Sequence, residues 1–359
     1  MAKTVFVGMS GGVDSSVSAL LLEEQGYKVV GIYMKNWSKD LPGMKCPWAE
    51  DLADAKRVAV KLGIDFEVFD FEKAYREKVV EYMLAEFKKG NTPNPDVMCN
   101  QEIKFKLFYE EAMKRGADFI ATGHYARVET SSEVPLLMRA IDENKDQTYF
   151  LYRISDEALT HTLFPIGEMT KPEVKKLAAE NGLHNAYKKE SMGVCFVGEV
   201  GMKDFLKEYI DIEPGEIREI ESEKVLGYHE GAVFYTIGQR HGLYLNGVAG
   251  EVNDGLPYYV VKKDIENNVV YVSKNLNDEH IWTDILELKD VILRMSPAVT
   301  SEGAFARLRH RAPLIPVRII LREDGTAALK FENKIKRPAS GQSAVIYGGE
   351  ICLGGGIIV

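Results

Sequence analysis

Residues 4–16, which read TVFVGMSGGVDSS, decide the fold of the first half of the chain. The apolar run at 4–9 predicts a short buried strand, and residues 15–25 predict a helix that Gly26 ends. The turn between them contains Gly11-Gly12, which adds no side-chain bulk. Glycines let backbone N–H groups approach a phosphate closely, and the helix N-terminus adds partial positive charge. The stretch indicates a phosphate-binding turn, although a tight strand–helix turn with polar caps has a similar composition.

Three polar side chains extend this pattern. Ser15 and Ser16 offer hydroxyl donors to a phosphate, and Asp14 can cap the helix or hold a metal beside the phosphates. A Walker-A loop needs a lysine that reaches the β- and γ-phosphates, and no lysine stands in this turn. The dinucleotide fingerprint G-x-G-x-x-G is also absent. The turn therefore predicts a nucleotide site of another kind.

Strand and helix signals alternate through the first 200 residues. Further strands are predicted at 29–34, 66–71 and 118–121, and further helices at 49–63, 73–89 and 103–115. Strands separated by helices of this length form βαβ units with a parallel sheet. Later, Thr170 and Glu173 form a capping-box pattern at the start of a helix that Asn181-Gly182 would end.

After about residue 205, short β-branched runs with turn signals replace helical periodicity. Two strands flank residues 266–268, a hairpin turns at Asp324-Gly325, and another pair flanks Gly348-Gly349. We therefore predict an α/β N-terminal domain with a parallel sheet, followed by two small, mostly β domains, the last of them barrel-like. The predicted domains cover residues 1–200, 205–278 and 281–359.

Charge is divided unevenly along the 359 residues. The chain carries a formal net charge of −9, whereas residues 281–359 contain 11 Lys/Arg and 8 Asp/Glu. An acidic total argues against a general nucleic-acid coat. The C-terminal basic residues are bunched as Arg307, Arg309, His310 and Arg311, then Lys334, Lys336 and Arg337. Such clusters fit contact with a phosphate backbone and fit a solvated basic face about equally well.

The four cysteines lie far apart and form no C-x-x-C pair. That spacing argues against a disulfide scaffold and against a finger-type zinc site. The N-terminus resembles neither a signal peptide nor a membrane span, so we expect a cytoplasmic protein with reduced thiols. Cys46 and Cys352 are interpreted as structural. The apolar flanks of Cys195 are typical of a small buried residue.

Cys99 lies in a polar stretch that begins at Asn94. Pro93 and Pro95 stiffen this stretch and predict that it is not helical. We therefore expect an exposed thiol, with Asp96 near enough to act as a base or to orient a group. An incidental loop cysteine is the alternative.

Two further stretches are candidates for ligand contact. Gly123 and His124 follow the strand at 118–121, so they would lie at the carboxyl edge of the sheet, where open α/β sheets bind ligands. Gly123 would allow close approach to a nucleotide. The polar residues 145–147 precede an aromatic run and otherwise indicate the start of a surface helix.

The turn S-G-G-x-D-S resembles the PP-loop of the ATP pyrophosphatases, whose domain is adenine nucleotide alpha hydrolase-like. That resemblance implies that a substrate oxygen attacks the α-phosphate, with AMP as product. The order of motifs is more specific: S-G-G-V-D-S-S, T-P-N-P-D-V-M-C-N, T-G-H-Y-A-R, K-D-Q-T-Y-F-L, G-V-C-F-V-G-E, Y-T-I-G-Q-R, G-Q-S-A-V-I-Y and C-L-G-G-G-I-I. Over essentially the whole chain this series resembles the bacterial tRNA-specific 2-thiouridylase family.

The resemblance implies a two-stage reaction on tRNA. ATP adenylates the C2 carbonyl oxygen of the wobble uridine, U34, and sulfur from a cysteine persulfide replaces that oxygen. The products are 2-thiouridine, AMP and pyrophosphate. Cys99 matches the nucleophilic cysteine and Cys195 the cysteine that receives persulfide sulfur, and the two can form a disulfide during turnover.

The resemblance also implies which residues bind ATP and tRNA. Positions that match ATP contacts are Gly8, Met9, Ser10, Gly11, Gly12, Val13, Asp14, Ser15, Met34 and Gly123. Positions that match tRNA contacts are Asn94, Pro95 and Asp96 at the target base, His124, Lys145, Asp146 and Gln147 in the catalytic domain, and Arg309, His310 and Gln342 in the barrel.

The implied partners are ATP with Mg²⁺, a tRNA with a wobble uridine, and a persulfide donor such as a cysteine desulfurase or a sulfur-relay protein. We expect a monomer without membrane contact. Some family members are argued to hold an iron–sulfur cluster at the positions of Asp96, Cys99 and Cys195, so the persulfide and cluster routes both stay open. Three other interpretations are an amide-forming synthetase, a non-catalytic RNA-binding protein and a redox sensor. The synthetase gives the two cysteines no role, and the binding protein would not consume ATP.

Overall fold

The computed structural model describes residues 2–40, 46–132, 134–189, 201–243, 245, 257–275, 280–295 and 303–359. Within these ranges, no helix has the length and apolar character needed to cross a membrane.

A five-stranded parallel sheet forms the centre of the N-terminal part, in the order β3-β2-β1-β4-β7. Its strands are β1 (Thr4–Gly8), β2 (Lys28–Lys35), β3 (Asp65–Asp70), β4 (Phe119–Thr122) and β7 (Thr162–Leu163). The first four confirm the predicted strands. Phe6 belongs to one apolar cluster and Val5 and Val7 to another, so both faces of the sheet are covered. The strand order reverses between β1 and β4, which opens a crevice at their carboxyl ends.

Helices surround this sheet and mostly end where the sequence predicts. They are α1 (Val13–Glu24), α2 (Trp48–Leu62), α3 (Glu72–Tyr75), α4 (Glu81–Lys88), α5 (Pro95–Met98), α6 (Phe108–Lys114), α7 (Thr148–Leu151), α8 (Asp156–Thr160), α9 (Lys171–Glu180) and α10 (Met202–Lys207). Gly26 follows α1 with a φ of +83°, and Gly63 ends α2 in the left-handed region. The capping box of α9 is confirmed, because the Glu173 carboxylate accepts a hydrogen bond from the Thr170 backbone N–H at 2.7 Å.

The prediction that prolines exclude a helix around Cys99 is wrong. Pro95 is the first residue of α5, a position whose N–H has no partner within a helix and which proline therefore tolerates. Asn94 caps the helix, since its Oδ1 accepts from the Val97 backbone N–H at 3.4 Å. A π-helical segment, Cys99–Leu107, then joins α5 to α6. A second π-helical segment, Arg76–Val80, joins α3 to α4, and nothing in the sequence pattern indicated either one.

The central β-sheet has four strands in the order β10-β11-β8-β9. They are β8 (Gly215–Glu219), β9 (Val225–His229), β10 (Tyr259–Asp264) and β11 (Val269–Ser273), and a 3-10 turn spans Ala232–Phe234. The antiparallel pair β10–β11 confirms the two strands predicted around residues 266–268. Ile217, Val260 and Val270 are fully buried and form the centre of its core.

Six strands of the C-terminal part close into a barrel, as predicted. They are β12 (Trp282–Leu293), β13 (Ala304–Arg307), β14 (Ile315–Leu321), β15 (Ala327–Lys336), β16 (Ser343–Gly348) and β17 (Ile351–Ile358). Pairing of β12 with β17 completes the ring. Gly354 lies at this closure with a φ of +137°, where a Cβ atom would stand 1.9 Å from the Ile292 carbonyl oxygen. Only glycine fits there, so the closure depends on it.

A hairpin from the N-terminal part extends the barrel sheet, which the sequence did not indicate. Its strands are β5 (Ala126–Glu129) and β6 (Leu136–Arg139). Met138 pairs with Ile351 of β17, and the Arg139 backbone N–H donates to the Glu350 carbonyl at 2.8 Å. The predicted domain boundaries near residues 200 and 280 stay a prediction. The hairpin belongs to the first predicted domain but pairs with a strand of the last one.

A buried ion pair, which we call the joint, fixes the barrel against the N-terminal part. Asp146 accepts a hydrogen bond from the Arg307 guanidinium at 2.8 Å, and both side chains are buried. The Tyr149 hydroxyl donates to the Ser343 carbonyl at 2.9 Å across the same contact. Because a buried carboxylate is costly without a partner, the joint holds only when both sides are present.

We predict that Asp146→Asn lowers the free energy of unfolding by about 3 kcal/mol, because the substitution leaves the buried Arg307 charge without its partner. The matched control is Glu77→Gln, whose carboxylate forms an exposed pair with Lys73 at 4.0 Å and should change stability by less than about 1 kcal/mol. Chemical denaturation of both variants measures the difference. Equal stability of the two variants would contradict the assignment of the joint.

Candidate active site

The predicted phosphate-binding turn lies at the carboxyl end of β1, where the strand order reverses. Gly12 is the N-cap of α1 and brings no side chain to cap its first N–H groups. Gly11 has a φ of +77°, and a Cβ atom there would lie 2.5 Å from the Asp51 carbonyl oxygen. An uncapped helix N-terminus beside glycines leaves backbone donors for an anion. The geometry therefore suits a phosphate group.

The serines of the turn differ in what they can reach. The Ser16 hydroxyl is buried, donates to the Gly12 carbonyl at 2.9 Å and accepts from the Asn185 amide at 2.9 Å. The expectation that Ser16 offers its hydroxyl to a phosphate is therefore wrong: it supports the turn from behind. Ser10 is exposed, and its hydroxyl lies 3.4 Å from that of Ser15.

Asp14 does not cap α1, and its carboxylate is not free to bind a metal because both of its oxygens accept hydrogen bonds. Both of its carboxylate oxygens accept from the Lys171 ammonium at 2.7 Å, and one accepts from the Tyr125 hydroxyl at 2.9 Å. Lys171 is the first residue of α9 and brings to the turn the lysine that the turn itself lacks. The sequence could have indicated the position of Lys171, because a helix that follows a parallel strand starts at the same sheet edge as the turn.

The remaining predicted nucleotide positions surround this turn. A Cβ atom on Gly8 would lie 2.8 Å from the Met34 methyl group, so these two residues are in contact. A Cβ atom on Gly123 would lie 2.5 Å from the Ser15 backbone nitrogen. Gly123 therefore allows β4 to approach the first turn of α1, and any contact with a nucleotide comes in addition to that packing.

His124 links the turn to the helix that carries Cys99. Its Nδ1 lies 2.8 Å from the Thr122 hydroxyl and its Nε2 lies 3.4 Å from the Lys104 ammonium. An ammonium only donates, so Nε2 accepts and Nδ1 carries the proton. Burial, with Lys104 beside it, lowers the pKa of His124 well below its ordinary value. The imidazole is therefore neutral and cannot pair with a phosphate as a cation.

Asp96 has a carboxyl group whose pKa is raised. Burial raises its pKa, and the nearby Lys104 ammonium opposes that change. Lys104, two helical turns further along, thus lies between Asp96 and His124, and the sequence analysis did not single it out. A carboxylate with a raised pKa is a stronger base than an exposed one.

Cys99 is 3% exposed, so the expectation of an exposed thiol is wrong. It begins the π-helical segment and packs in an apolar cluster with Ile103, Tyr75 and Phe205. The helix that places Cys99 is also what buries it. The thiol therefore needs a change in its surroundings before a substrate can touch it.

The other cysteines divide into two structural residues and one outside the described ranges. Cys46 and Cys352 are buried, and burial raises the pKa of both thiols, that of Cys352 to about 12. Neither is a thiolate at neutral pH. Cys195 lies outside the described residues. Lys188, which precedes it, pairs instead with Asp51 at 2.8 Å and Asp54 at 2.6 Å.

Residues 90–92, just before the Asn94–Cys99 stretch, contact both β domains; we call them the clamp segment. The Lys263 ammonium donates to the Gly90 carbonyl at 2.6 Å. The Thr92 backbone N–H donates to the Ser340 carbonyl at 2.7 Å, and the Gln342 amide donates to the Thr92 carbonyl at 2.8 Å. The clamp segment therefore fixes where the helix bearing Asp96 and Cys99 begins.

The predicted tRNA positions are only partly accessible. Arg309 is exposed and Lys145 is half-buried. Asp146 is buried in the joint, so its side chain is not presented to RNA, and the Gln147 side chain accepts from the Tyr125 backbone N–H at 2.8 Å. His310 packs on Phe150 with ring centroids 4.6 Å apart, and burial lowers its pKa to about 4. A neutral His310 suits stacking better than phosphate pairing.

Three family models match successive parts of the chain. They are described as the tRNA methyl transferase HUP domain over residues 3–199, the tRNA methyl transferase PRC-barrel domain over 203–274 and the aminomethyltransferase β-barrel domain over 286–358. A Listeria monocytogenes protein named tRNA-specific 2-thiouridylase MnmA is 48% identical over 99% of this chain and 94% of its own length. A Geobacillus kaustophilus protein named tRNA-specific 2-thiouridylase MnmA 1 is 47% identical over 99% of this chain and 95% of its own length. Among solved structures, a 4-thiouridine synthetase–RNA complex with bound ATP is 16% identical with a TM-score of 0.38, covering 57% of this chain and 50% of that one.

Two carboxylates of one helix should respond to pH with opposite sign. Since burial raises the pKa of Asp96, its ionised form destabilises the fold above that pKa. Asp96→Asn should therefore be at least as stable as the wild type at pH 7. That advantage should shrink as pH falls through the folded pKa towards the unfolded value of about 3.9.

The matched control is Glu102→Gln. Burial opposes ionisation of Glu102, but hydrogen bonds from Lys78 and Lys106 outweigh it and lower its pKa. Its stabilising effect is present above about pH 4.3 and is lost as pH falls through the folded pKa, so Glu102→Gln should be less stable at pH 7. Denaturation curves between pH 3 and 8 measure both. A loss of stability at pH 7 in Asp96→Asn would contradict the environment described for that carboxyl.

Proposed function

The chain belongs to the tRNA-specific 2-thiouridylase family, and from that premise we propose that it uses ATP to convert the wobble uridine of tRNA to 2-thiouridine. The proposal rests mainly on one observation, which is that a series of neighbouring residues connects the phosphate-binding turn with the helix that contains Asp96 and Cys99. An uncapped phosphate-binding turn leads through His124 and Lys104 to Asp96 and Cys99. A nucleotide, a base and a sulfur nucleophile are the parts that this reaction requires.

The first stage activates the uracil carbonyl. The O2 atom forms a bond to the α-phosphorus of ATP, the bond to the β-phosphate oxygen breaks, and pyrophosphate leaves. The N–H groups at the start of α1 would hold the phosphates, with the Lys171 ammonium beside them. Asp96 is our candidate for accepting the proton that the base loses at N3, because its pKa is raised.

The second stage replaces oxygen with sulfur. The terminal sulfur of a persulfide on Cys195 attacks C2, and AMP leaves with the former carbonyl oxygen. The Cys99 thiolate then attacks the Cys195 Sγ and breaks the S–S bond, so that sulfur stays on C2 and a Cys99–Cys195 disulfide forms. An external thiol reduces that disulfide before the next turnover.

Chain connectivity supports the meeting of the two cysteines. Phe205 and Leu206 pack in the same apolar cluster as Cys99, and Cys195 precedes Phe205 by ten residues. An extended chain spans roughly 3.3 Å per residue, so a segment of that length reaches Cys99. Opening of this cluster would also relieve the burial of the Cys99 thiol.

Two inorganic groups are implied by the family, and no step here is drawn through either. Mg²⁺ would accompany the triphosphate, but both oxygens of Asp14 already accept from Lys171, so Asp14 does not offer an unpaired carboxylate. An iron–sulfur cluster would need Asp96, Cys99 and Cys195 together. Among the residues that the structure describes, no three His, Cys, Asp or Glu side chains form a metal-binding group.

The partners follow from the same reaction. The substrate is a tRNA whose wobble base is turned out of the anticodon loop. A protein that delivers persulfide sulfur to Cys195 completes the cycle, and we place the reaction in the cytoplasm with a monomeric enzyme.

We predict that Cys99→Ser and Cys195→Ser each lower 2-thiouridine formation by about 1000-fold, because each removes a sulfur that the second stage requires. The control is Cys46→Ser, a buried thiol outside the proposed relay, which should keep nearly full activity. Mass spectrometry of nucleosides from tRNA incubated with ATP and a persulfide donor measures the product.

Three outcomes would contradict this proposal in different ways. Normal thiolation by either variant would remove that cysteine from the relay. Thiolation that requires iron, with absorbance near 400 nm, would favour the cluster route. Methylated instead of thiolated tRNA, formed from S-adenosylmethionine, would favour the chemistry in the family-model descriptions.

A further inference from the structure

A groove runs between the central β-sheet and the barrel, made of two adjoining cavities of about 510 and 250 Å³. Ile237 and Val261 line both cavities, so the two cavities adjoin at these residues. The first opens at the start of β12, and the second ends against the clamp segment. No position that the resemblance matches to ATP or tRNA lines either cavity, but Lys334 and Arg337 belong to the second basic cluster noted in the sequence.

The outer end of the groove is cationic and aromatic. Lys334 and Arg337 line it and are exposed, and Trp282 lies beside them with 37% of its surface exposed. The Arg337 backbone N–H donates to the Ile281 carbonyl at 2.7 Å, which fixes this end of β15 next to Trp282. Among the described residues, no carboxylate lies within ion-pair distance of Lys334 or Arg337. Asp284 is the acidic residue in the lining, and its carboxylate pairs with Lys330.

The inner end of the groove lies next to the stretch that leads to Asn94 and the proposed active site. Gly90, Asn91 and Thr92 line it together with Lys262 and Lys263, and the Lys263 ammonium donates to the Gly90 carbonyl at 2.6 Å. Thr92 precedes Asn94 by two residues, and Asn94 begins the stretch that we assign to the target base. A chain lying in the groove would therefore pass from a cationic mouth to the entrance of the proposed active site.

We propose that this groove binds the sugar–phosphate backbone of the tRNA substrate beside the target nucleotide. Lys334 and Arg337 neutralise two phosphates, and the Trp282 indole stacks on an unpaired base. The proposal rests on the proposed function, and it adds a second RNA surface to the one predicted around Arg309. Cations along a groove with an exposed indole are features that bind single-stranded nucleic acid. An acidic protein surface could pair with the cations, but it offers no base that would stack on the indole.

The test measures tRNA affinity at several KCl concentrations, separately from thiolation. The double variant Lys334→Gln/Arg337→Gln should bind tRNA about 10-fold more weakly, and the slope of log K against log salt should fall by about 1 to 2. Trp282→Ala should weaken binding several-fold without changing that slope, and Trp282→Phe should restore most of the affinity. The control is Lys73→Gln/Lys176→Gln, which removes two exposed cations that line neither cavity.

Three results separate the interpretations, with folding checked by the unfolding midpoint of each variant. Unchanged affinity and slope in the groove variants, beside normal binding by the wild type, would overturn the proposal. Unchanged tRNA binding with thiolation lost only when a protein donor replaces inorganic sulfide would assign the groove to an acidic protein partner, and would also overturn it. A wild type that binds tRNA but forms no 2-thiouridine would contradict the proposed function and leave the groove assignment to stand on its own binding data.

Discussion

Two hydrogen bonds hold Thr92 against the barrel, and the positions of Asp96 and Cys99 follow from them. The Thr92 N–H donates to Ser340, and Gln342 donates to the Thr92 carbonyl. Lys263 of the central sheet holds Gly90 in the same segment. All three parts of the chain therefore set where the Cys99 helix begins. Gln342, which the resemblance assigns to tRNA, already makes this contact, so its side-chain amide is engaged within the fold.

Three carboxylates near the site have different surroundings and therefore different chemistry. Asp146 is paired with Arg307 at 2.8 Å, and Asp14 is paired with Lys171 at 2.7 Å, so both side chains are held in place by a cation. Asp96 makes no ion pair among the described residues, and burial raises its pKa. A carboxylate that is costly to keep charged contributes little to stability and is well suited to take a proton. The fold thus leaves the carboxyl group of Asp96, our candidate base, without the ion pair that the other two carboxylates have among the described residues.

Local sequence patterns predicted the parts that depend on local physics. Apolar runs gave the first four parallel strands, and Gly26 and the Thr170 capping box gave the ends of helices. Local sequence patterns did not predict the contacts between distant parts of the chain. The pairing of Met138 with Ile351 joins residues more than 200 positions apart, and only tertiary structure reveals it. Pro95 was misjudged because proline at the first position of a helix favours the helix, whereas elsewhere it prevents one.

The burial of Cys99 and the reach of Lys171 were missed for a related reason. Polar neighbours in sequence suggested exposure, but the π-helical segment turns Cys99 into a cluster built from distant residues such as Phe205. The phosphate-binding turn itself contains no lysine, whereas the fold supplies one from α9. Residue type and order predicted a chemistry for the site, and tertiary packing decides which of those side chains are accessible.

In the proposed reaction, the turn at Ser10–Gly12 directs attack on the α-phosphate of ATP by an oxygen of tRNA. Anaerobic incubation with α-labelled ATP, Mg²⁺, tRNA and a sulfide source, followed by separation of the labelled nucleotides, tests it most directly. We expect labelled AMP that forms only when tRNA is present. Labelled ADP, or AMP formed equally well without tRNA, would contradict it and would assign the site to a kinase or a small-molecule synthetase.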